Sequence, residues 1–375
     1  MKIAFDGKRA LQNFTGLGNY SRYLLSVLCT YYPEHTYILC SPKPRTNKKL
    51  EQMLHDFPNL QLLFPKKRWE KKAGSVWRSW SITQQLEREN ITYYHGLSNE
   101  LPLNIQQSAI KSVVTVHDLI FLRLPHCYPP IDRLIYTYKF KKACQQADKI
   151  VAISECTKRD IMHFFHIPAD KITVIYQGCD SSFQQRATEE QKKEVQQRYQ
   201  LPKKFILNVG SLETRKNALL LVKSLPSLPA DTHVVLVGKQ TPYVEEIKKV
   251  VAKQHLEARV HLYHQVPFTD LPIFYQLAHL FAYPSRFEGF GIPIIEALHS
   301  GIPVIAATGS CLEEAGGSDS LYIHPDDVAG FTQAYLRIEQ EEGLREQMIE
   351  RGYQYVTRFA DQKIASHFIH LYTQL

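Results

Sequence analysis

No CxxC pair occurs among the seven cysteines (Cys29, Cys40, Cys127, Cys144, Cys156, Cys179 and Cys311), so neither a zinc site nor a disulfide framework is indicated, and a reducing compartment fits best. Nowhere does an apolar run reach the roughly 18 residues needed to span a bilayer. The opening stretch "MKIAFDGKRALQNF" has too few apolar residues for a secretory signal. A cytoplasmic chain is expected, or one held to a membrane only at its surface. No short repeat recurs, which argues against a solenoid. What is present is ordinary globular material: 375 residues, 44% hydrophobic and 22% charged. That length exceeds what one core usually serves, and two domains are expected.

The net charge of +8 is concentrated. Between Lys43 and Arg78 stand ten basic side chains against Glu51, Asp56 and Glu70, and Trp69, Trp77 and Trp80 fall in or beside the same stretch. Indole rings favour the lipid headgroup layer, and basic residues favour an anionic surface. Residues 43–80 therefore suggest an anionic membrane surface as partner. The same pattern also fits a solvated segment whose tryptophans pack inward. No recognition motif accompanies the charge, so nucleic acid is not an expected partner.

Short β-branched runs alternate with helical spacing along the whole chain. Candidate strands are "KIAFDG" (2–7), "TYILC" (36–40), "ITYYHG" (91–96), "SVVTVHD" (112–118), "KIVAIS" (149–154) and "KITVIY" (171–176). Between the first two, Tyr20, Tyr23, Leu24, Val27, Leu28 and Tyr31 recur at three and four, as a buried helix face requires. After the polar stretch 183–203 a second series follows: "KFILNVG" (204–210), "HVVLVG" (233–238), "RVHLY" (259–263), "HLFAYP" (279–284), "PVIAA" (303–307) and "SLYIH" (320–324). Strands joined through crossover helices make parallel sheets covered on both faces. The pattern predicts two α/β domains, 1–182 and 204–358, joined through 183–203.

Ligands of such sheets bind beyond the carboxyl ends of the strands, so the residues just after each strand carry the functional expectation. Gly16 and Gly18 in "FTGLGNY" precede a helix, whose amino end would attract an anion; the other reading is a plain tight turn. A nicotinamide dehydrogenase would place GxGxxG directly after the first strand, and here the third glycine is missing. His117 and Asp118 end an apolar strand. Arg215 and Lys216, in "GSLETRKN", offer a forked and a point cation suited to a diphosphate; exposed surface charge is the alternative. In "RFEGFGIPIIEALHSGIPVIA" Pro293 suits a first helical turn and Gly301 its end. Glu288 then lies in a glycine loop and Glu296 in the helix.

Taken in order, "GLGNY", "TVHDLIF", "ISECTKRDI", "GSLETRKN" and "PSRFEGFGIPIIEAL" resemble the GT-B fold glycosyltransferases of retaining family 4, whose E-x7-E hallmark is matched by Glu288 and Glu296. The likeness covers nearly the whole chain and is greatest to the branch containing mannosyltransferases of polysaccharide assembly. It implies two Rossmann-like domains facing a cleft, with a C-terminal helix (359–375) crossing back to the N-terminal domain. It implies that Arg215 and Lys216 hold the donor diphosphate, Glu296 the ribose hydroxyls, Glu288 the donor sugar, and Phe290 and Gly291 that sugar through backbone N–H groups. His117 would stand near the sugar's C6 hydroxyl, Gly16 and Gly18 near phosphate and acceptor, and Val266 at the base. The resemblance further implies a nucleotide-sugar donor, GDP-mannose foremost, a glycan or lipid-linked acceptor, no cofactor and no required metal.

The chain departs from the family pattern in three places. Leu312-Glu313-Glu314 replaces a common Leu-Pro-Glu, Gln265 replaces a frequent glycine near the base contact, and Tyr176-Gln177-Gly178 replaces Pro-Asn-Gly. A UDP- or ADP-sugar transferase and an inactive GT-B scaffold subunit are the alternatives in view. An epimerase on the same fold would lack the Arg-Lys pair together with E-x7-E.

Overall fold

The computed structural model describes residues 1–13, 16–43 and 47–375. Phe14, Thr15 and Arg45, which fall in two of the stretches singled out above, lie outside them. The chain divides into two compact units, one formed by Met1–Gln177 with Phe359–Leu375, the other by Gly178–Arg358.

Among the described residues the first unit is built on seven parallel strands: β1 (Lys2–Asp6), β2 (Thr36–Cys40), β3 (Leu60–Leu63), β4 (Tyr93–Gly96), β5 (Lys111–Val116), β6 (Lys149–Ala152) and β7 (Ile172–Val174), in the order β3-β2-β1-β4-β5-β6-β7. Alternation along each strand feeds two cores. Ile3, Phe5 and Val113 join one apolar cluster, while Ala4, Val114 and Val116 join the other. β3 was not expected. Its four residues include Gln61, and it pairs only with β2 at the sheet edge, so it lacks the long apolar run of a central strand.

The Gly16–Tyr31 helix covers one face, burying Tyr20, Leu24, Val27 and Leu28, while Tyr31 at its end is exposed. Tyr23 donates to Asp361 Oδ1 at 2.6 Å, which ties this helix to the Asp361–Thr373 helix. Ile364, Phe368 and Leu371 of that C-terminal helix are buried in the same core.

Six parallel strands form the second sheet: β8 (Phe205–Val209), β9 (His233–Val237), β10 (Val260–Tyr263), β11 (Leu280–Tyr283), β12 (Val304–Ala307) and β13 (Leu321–Ile323), in the order β10-β9-β8-β11-β12-β13. Residues 183–203, expected as a connection, belong to this unit. Phe183 is fully buried with its ring 5.4 Å from Tyr275, Val195 is buried, and Arg198 and Tyr199 both bond Asp270. The chain crosses between units at Gln177 and Gly178, inside the segment where it departs from Pro-Asn-Gly.

Candidate functional site

Both sheets reverse their strand order beside the first strand of each unit, between β1 and β4 and between β8 and β11. At such a switch point the loops leave in opposite directions and open a crevice for a ligand. In the second unit, the loops leaving β8 and β11 carry the predicted cations and the first glutamate. They are joined to each other: Arg286 N–H donates to Arg215 O at 2.9 Å, and Asn217 Nδ2 donates to Pro284 O at 3.2 Å and Pro325 O at 2.6 Å. Asn217 takes the left-handed conformation (φ 57°) that ends the Thr214–Lys216 turn.

Arg215, Lys216 and Glu288 meet on one carboxylate oxygen. Arg215 Nη1 lies 2.8 Å and Lys216 Nζ 3.0 Å from Glu288 Oε1, with the three side chains only 12–16% exposed. Ser285 Oγ donates to the same oxygen at 2.7 Å and Tyr283 OH at 3.1 Å, while Lys216 Nζ donates to Tyr283 OH at 2.6 Å. Burial by itself would raise the Glu288 carboxyl, but Lys216, Arg215 and the Ser285 hydroxyl outweigh it and hold it down to about 2. Glu288 is thus ionised at every working pH and has no proton to give as a general acid. Burial likewise opposes the charge of Lys216, and Glu288 overrides it, keeping the ammonium protonated.

Behind this cluster Cys311 Sγ lies 3.0 Å from Glu288 O and 2.9 Å from Phe290 O, and its one S–H is shared between the two carbonyls, fixing the loop. The Phe290 ring is buried. Gly291 has φ 130°, and a Cβ there would lie 3.1 Å from Leu312 and 3.2 Å from Ala315, so only glycine fits. It caps the Ile292–Ser300 helix, with Pro293 in the first turn. Glu296 on this helix accepts from Tyr275 OH at 2.8 Å. Burial, opposed by that hydrogen bond and assisted by the charge of Asp180, raises its carboxyl to about 7. The two glutamates therefore differ in character: one is a permanent anion, the other titrates near neutrality.

Val266 follows β10, half-buried, and Gln265 before it has φ 62°. The chain thus keeps at Gln265 a left-handed turn that glycine makes without strain. Glu313, one of the departures noted above, accepts from Thr308 Oγ1 and from Gly309 N–H (3.2 Å), closing the loop after β12 with its side chain.

The remaining predicted residues belong to the first unit. His117 follows β5 and is buried, donating from Nε2 to Leu97 O at 2.8 Å, with its backbone N–H on Asn99 Oδ1 at 3.0 Å. Burial, against the Leu97 contact and with help from Arg9, lowers it to about 4, so the ring is neutral and Nδ1 is an acceptor. Asp118 accepts from Ile120 N–H at 3.1 Å. Gly16 and Gly18 lie in the first turn of their helix rather than ahead of it. Gly18 is needed sterically, since a Cβ there would fall 1.8 Å from Asn13 O, and its N–H is given to Asn13 Oδ1 at 3.3 Å. That amide is occupied by the chain itself.

Sequence reasoning missed Tyr283 and Ser285, the hydroxyls that share Glu288 with the cations. It also missed Asp6, Arg78 and Glu100 at the carboxyl ends of β1 and β4. Arg78 donates from Nε to Asp6 Oδ1 at 3.0 Å and from Nη1 to Glu100 Oε2 at 2.5 Å. Asp6 ends a strand just as His117 follows one, which was the available signal. A buried chain backs His117: Tyr372 OH lies 2.7 Å from His95 Nδ1, His95 Nε2 2.8 Å from Thr115 Oγ1, and Thr115 Oγ1 3.2 Å from Tyr20 OH, whose ring meets His117 edge-on at 4.6 Å. Replacing Tyr372 with phenylalanine leaves His95 Nδ1 without its partner, which costs about 1–3 kcal/mol. Urea unfolding should register that loss, and an unchanged midpoint would show the bond contributes nothing.

Two switch-point sheets, with a cationic pair and two separated acids in the second, fit the GT-B glycosyltransferase that the sequence motifs resemble. Comparison with known proteins agrees. The family model described as "Glycosyltransferase Family 4" matches residues 15–183, and that described as "Glycosyl transferases group 1" matches residues 189–355. O-antigen chain mannosyltransferase B of Escherichia coli is 30% identical over 288 residues, 75% of this chain and 74% of the relative. O-antigen chain mannosyltransferase RfbU of Salmonella typhimurium is 29% identical over 232 residues, 61% of each chain. The Anabaena protein Alr3699/HepE, solved in complex with UDP and glucose, superposes with a TM-score of 0.78 at 17% identity over the full length of both chains, a likeness of fold. The chain belongs to the family 4 glycosyltransferases, in their mannosyltransferase-like branch.

Proposed function

We propose that this enzyme transfers a hexose, mannose from GDP-mannose in the leading reading, to a glycan or lipid-linked acceptor in the assembly of cell-surface polysaccharide, with retention of configuration. The observation that carries the reading is the convergence of Arg215 and Lys216 on Glu288 at the β8–β11 switch point. The similarity to O-antigen chain mannosyltransferases supports the sugar and the pathway class.

In the proposed step the bond from the sugar's C1 to the diphosphate oxygen breaks, and its electron pair stays on the phosphate. The acceptor oxygen bonds to C1 from the same face, and its proton passes to the departing phosphate. Negative charge grows on that phosphate in the transition state. Lys216 and Arg215, already fixed by Glu288, Tyr283 and the backbone, stabilise it without reorganising. Glu288 holds the cations in place and presents a carboxylate to the sugar. Glu296 accepts from the ribose hydroxyls, and His117 Nδ1 accepts from the sugar's C6 hydroxyl. Charge compensation is assigned to side chains, and no metal or cofactor is required. Cysteine usage supports a cytoplasmic setting.

Proton NMR of the fresh transfer product tests the stereochemistry. An α-linked hexose formed from the α-linked donor is expected, and a β product would reject same-face attack. GDP-mannose is expected to outperform UDP- and ADP-sugars as donor in the same assay.

A further inference from the structure

The Pro130–Gln146 helix has two apolar faces, and only one of them is packed. Inward, Phe140 meets Phe121 at 5.4 Å, and Ala143 and Cys144 are buried in the core. Outward stand Ile131 (72% exposed), Leu134 (73%), Ile135 (44%) and Tyr138 (64%). Their spacing places all four within an arc of about 100°, opposite the packed face. A helix on a solvated surface normally turns polar residues outward, and a contiguous exposed apolar patch marks an interaction site.

The charges beside the patch choose the partner. On the helical projection Lys139 and Lys141 flank the apolar arc and Lys142 continues it, with Lys142 Nζ 5.7 Å from the Tyr138 ring centroid. Asp132 is the only acid in the helix. A cleft of about 580 Å³ opens on the same face, lined by Leu134, Tyr138, Lys141, Lys142 and Gln106. Apolar side chains bordered by lysines are the arrangement of a helix lying in the interfacial plane of an anionic bilayer. A second copy is disfavoured, because a two-fold contact would set the same lysine groups against one another.

The patch is joined to part of the basic, tryptophan-containing stretch. Glu100 accepts from Arg78 and lies 3.7 Å from Lys139 Nζ, linking this helix to the Trp77–Ser81 turn, where Trp80 is half exposed. Trp69 is also half exposed, with Lys67 Nζ 5.9 Å from its ring centroid. Trp77, by contrast, is fully buried and donates to Gln85 Oε1 at 2.9 Å. The three tryptophans therefore do not form one surface. Among the described residues no helix is long and apolar enough to cross a membrane, so any contact through this face is peripheral.

We propose that the outward face of the Pro130–Gln146 helix docks the enzyme on an anionic lipid bilayer, with Ile131, Leu134, Ile135 and Tyr138 entering the headgroup layer and Lys139, Lys141 and Lys142 meeting lipid phosphates. The inference stands apart from the transfer reaction and is tested without it.

The test is flotation of the full chain at low salt with phosphatidylcholine vesicles, and with the same vesicles containing phosphatidylglycerol. Wild type is expected to float with the anionic vesicles and not with phosphatidylcholine alone. The exposed double variants Ile131→Ser/Leu134→Ser and Lys141→Glu/Lys142→Glu are each expected to bind at least about tenfold more weakly. Equal flotation with both vesicle types would overturn the proposal, as would wild-type binding by both variants. Loss of binding only in Trp69→Ala/Lys71→Glu/Lys72→Glu would also overturn it, moving the contact to that segment. A dimer in analytical ultracentrifugation that Ile131→Ser/Leu134→Ser abolishes would assign the face to a second copy instead.

Discussion

Replacing Lys216 with alanine is expected to lower turnover by about 100- to 1000-fold, the loss typical of removing one preorganised group that meets charge as it develops. The size follows from where the ammonium is held. It is largely screened from water, kept protonated by Glu288, and oriented by the Tyr283 hydroxyl at 2.6 Å. In so poorly solvated a place a fixed cation acts more strongly than in water. The loss should fall on kcat more than on KM for the donor, because the departing phosphate is more negative in the transition state than in the ground state. Glu288 keeps Arg215, Ser285 and Tyr283 as partners in the variant, so the fold is expected to survive, which circular dichroism would verify. Unchanged turnover in a folded variant would remove Lys216 from the site.

Glu296 carries the second large effect, and its sign depends on pH. Its carboxyl is raised to about 7 in the folded chain, against an unfolded value near 4.5. Below the unfolded value both states are protonated and the group costs nothing. As pH rises from there through 7, the unfolded state ionises freely while the folded one resists, so stability is lost across that window and stays lost above it. A shift of this size corresponds to an upper limit on the order of 3 kcal/mol. Glu296→Gln removes the penalty. The variant should melt at the wild-type temperature near pH 4 and clearly above it at pH 8. A constant difference between those pH values would mean that Glu296 does not titrate as described. On the proposed reading a pair of ribose hydroxyls would solvate this buried carboxylate, so the group that destabilises the fold would favour the donor.

The features legible in the sequence were those carried by short contiguous segments. Twelve strands announced themselves as β-branched runs, and the Ile292–Ser300 helix was bounded by Pro293 and Gly301 as its residues dictate. Arg215, Lys216 and Glu288 could be singled out because each follows a strand in its own motif. What stayed hidden depends on partners distant along the chain. Tyr283 looks like any strand tyrosine until Lys216 reaches it, and Arg78 like one more surface cation until it meets Asp6, 72 residues away. The Pro130–Gln146 helix was unreadable for the converse reason. With apolar residues on both faces it shows no single stripe, and only the packing tells which face is left over.

On the proposed function the second unit recognises a nucleoside diphosphate sugar through Lys216, Arg215 and Glu296. Calorimetric titration of GDP-mannose into the wild type and Glu296→Ala tests it most directly, since the sugar-linked diphosphate has no proton to exchange near neutrality. Wild-type affinity should rise by about tenfold as pH goes from 6 to above 7, following ionisation of Glu296, and the variant should bind weakly with no such dependence. Equal affinity in the two proteins at pH 8 would contradict the claim, as would an absence of binding by GDP-, UDP- and ADP-sugars alike.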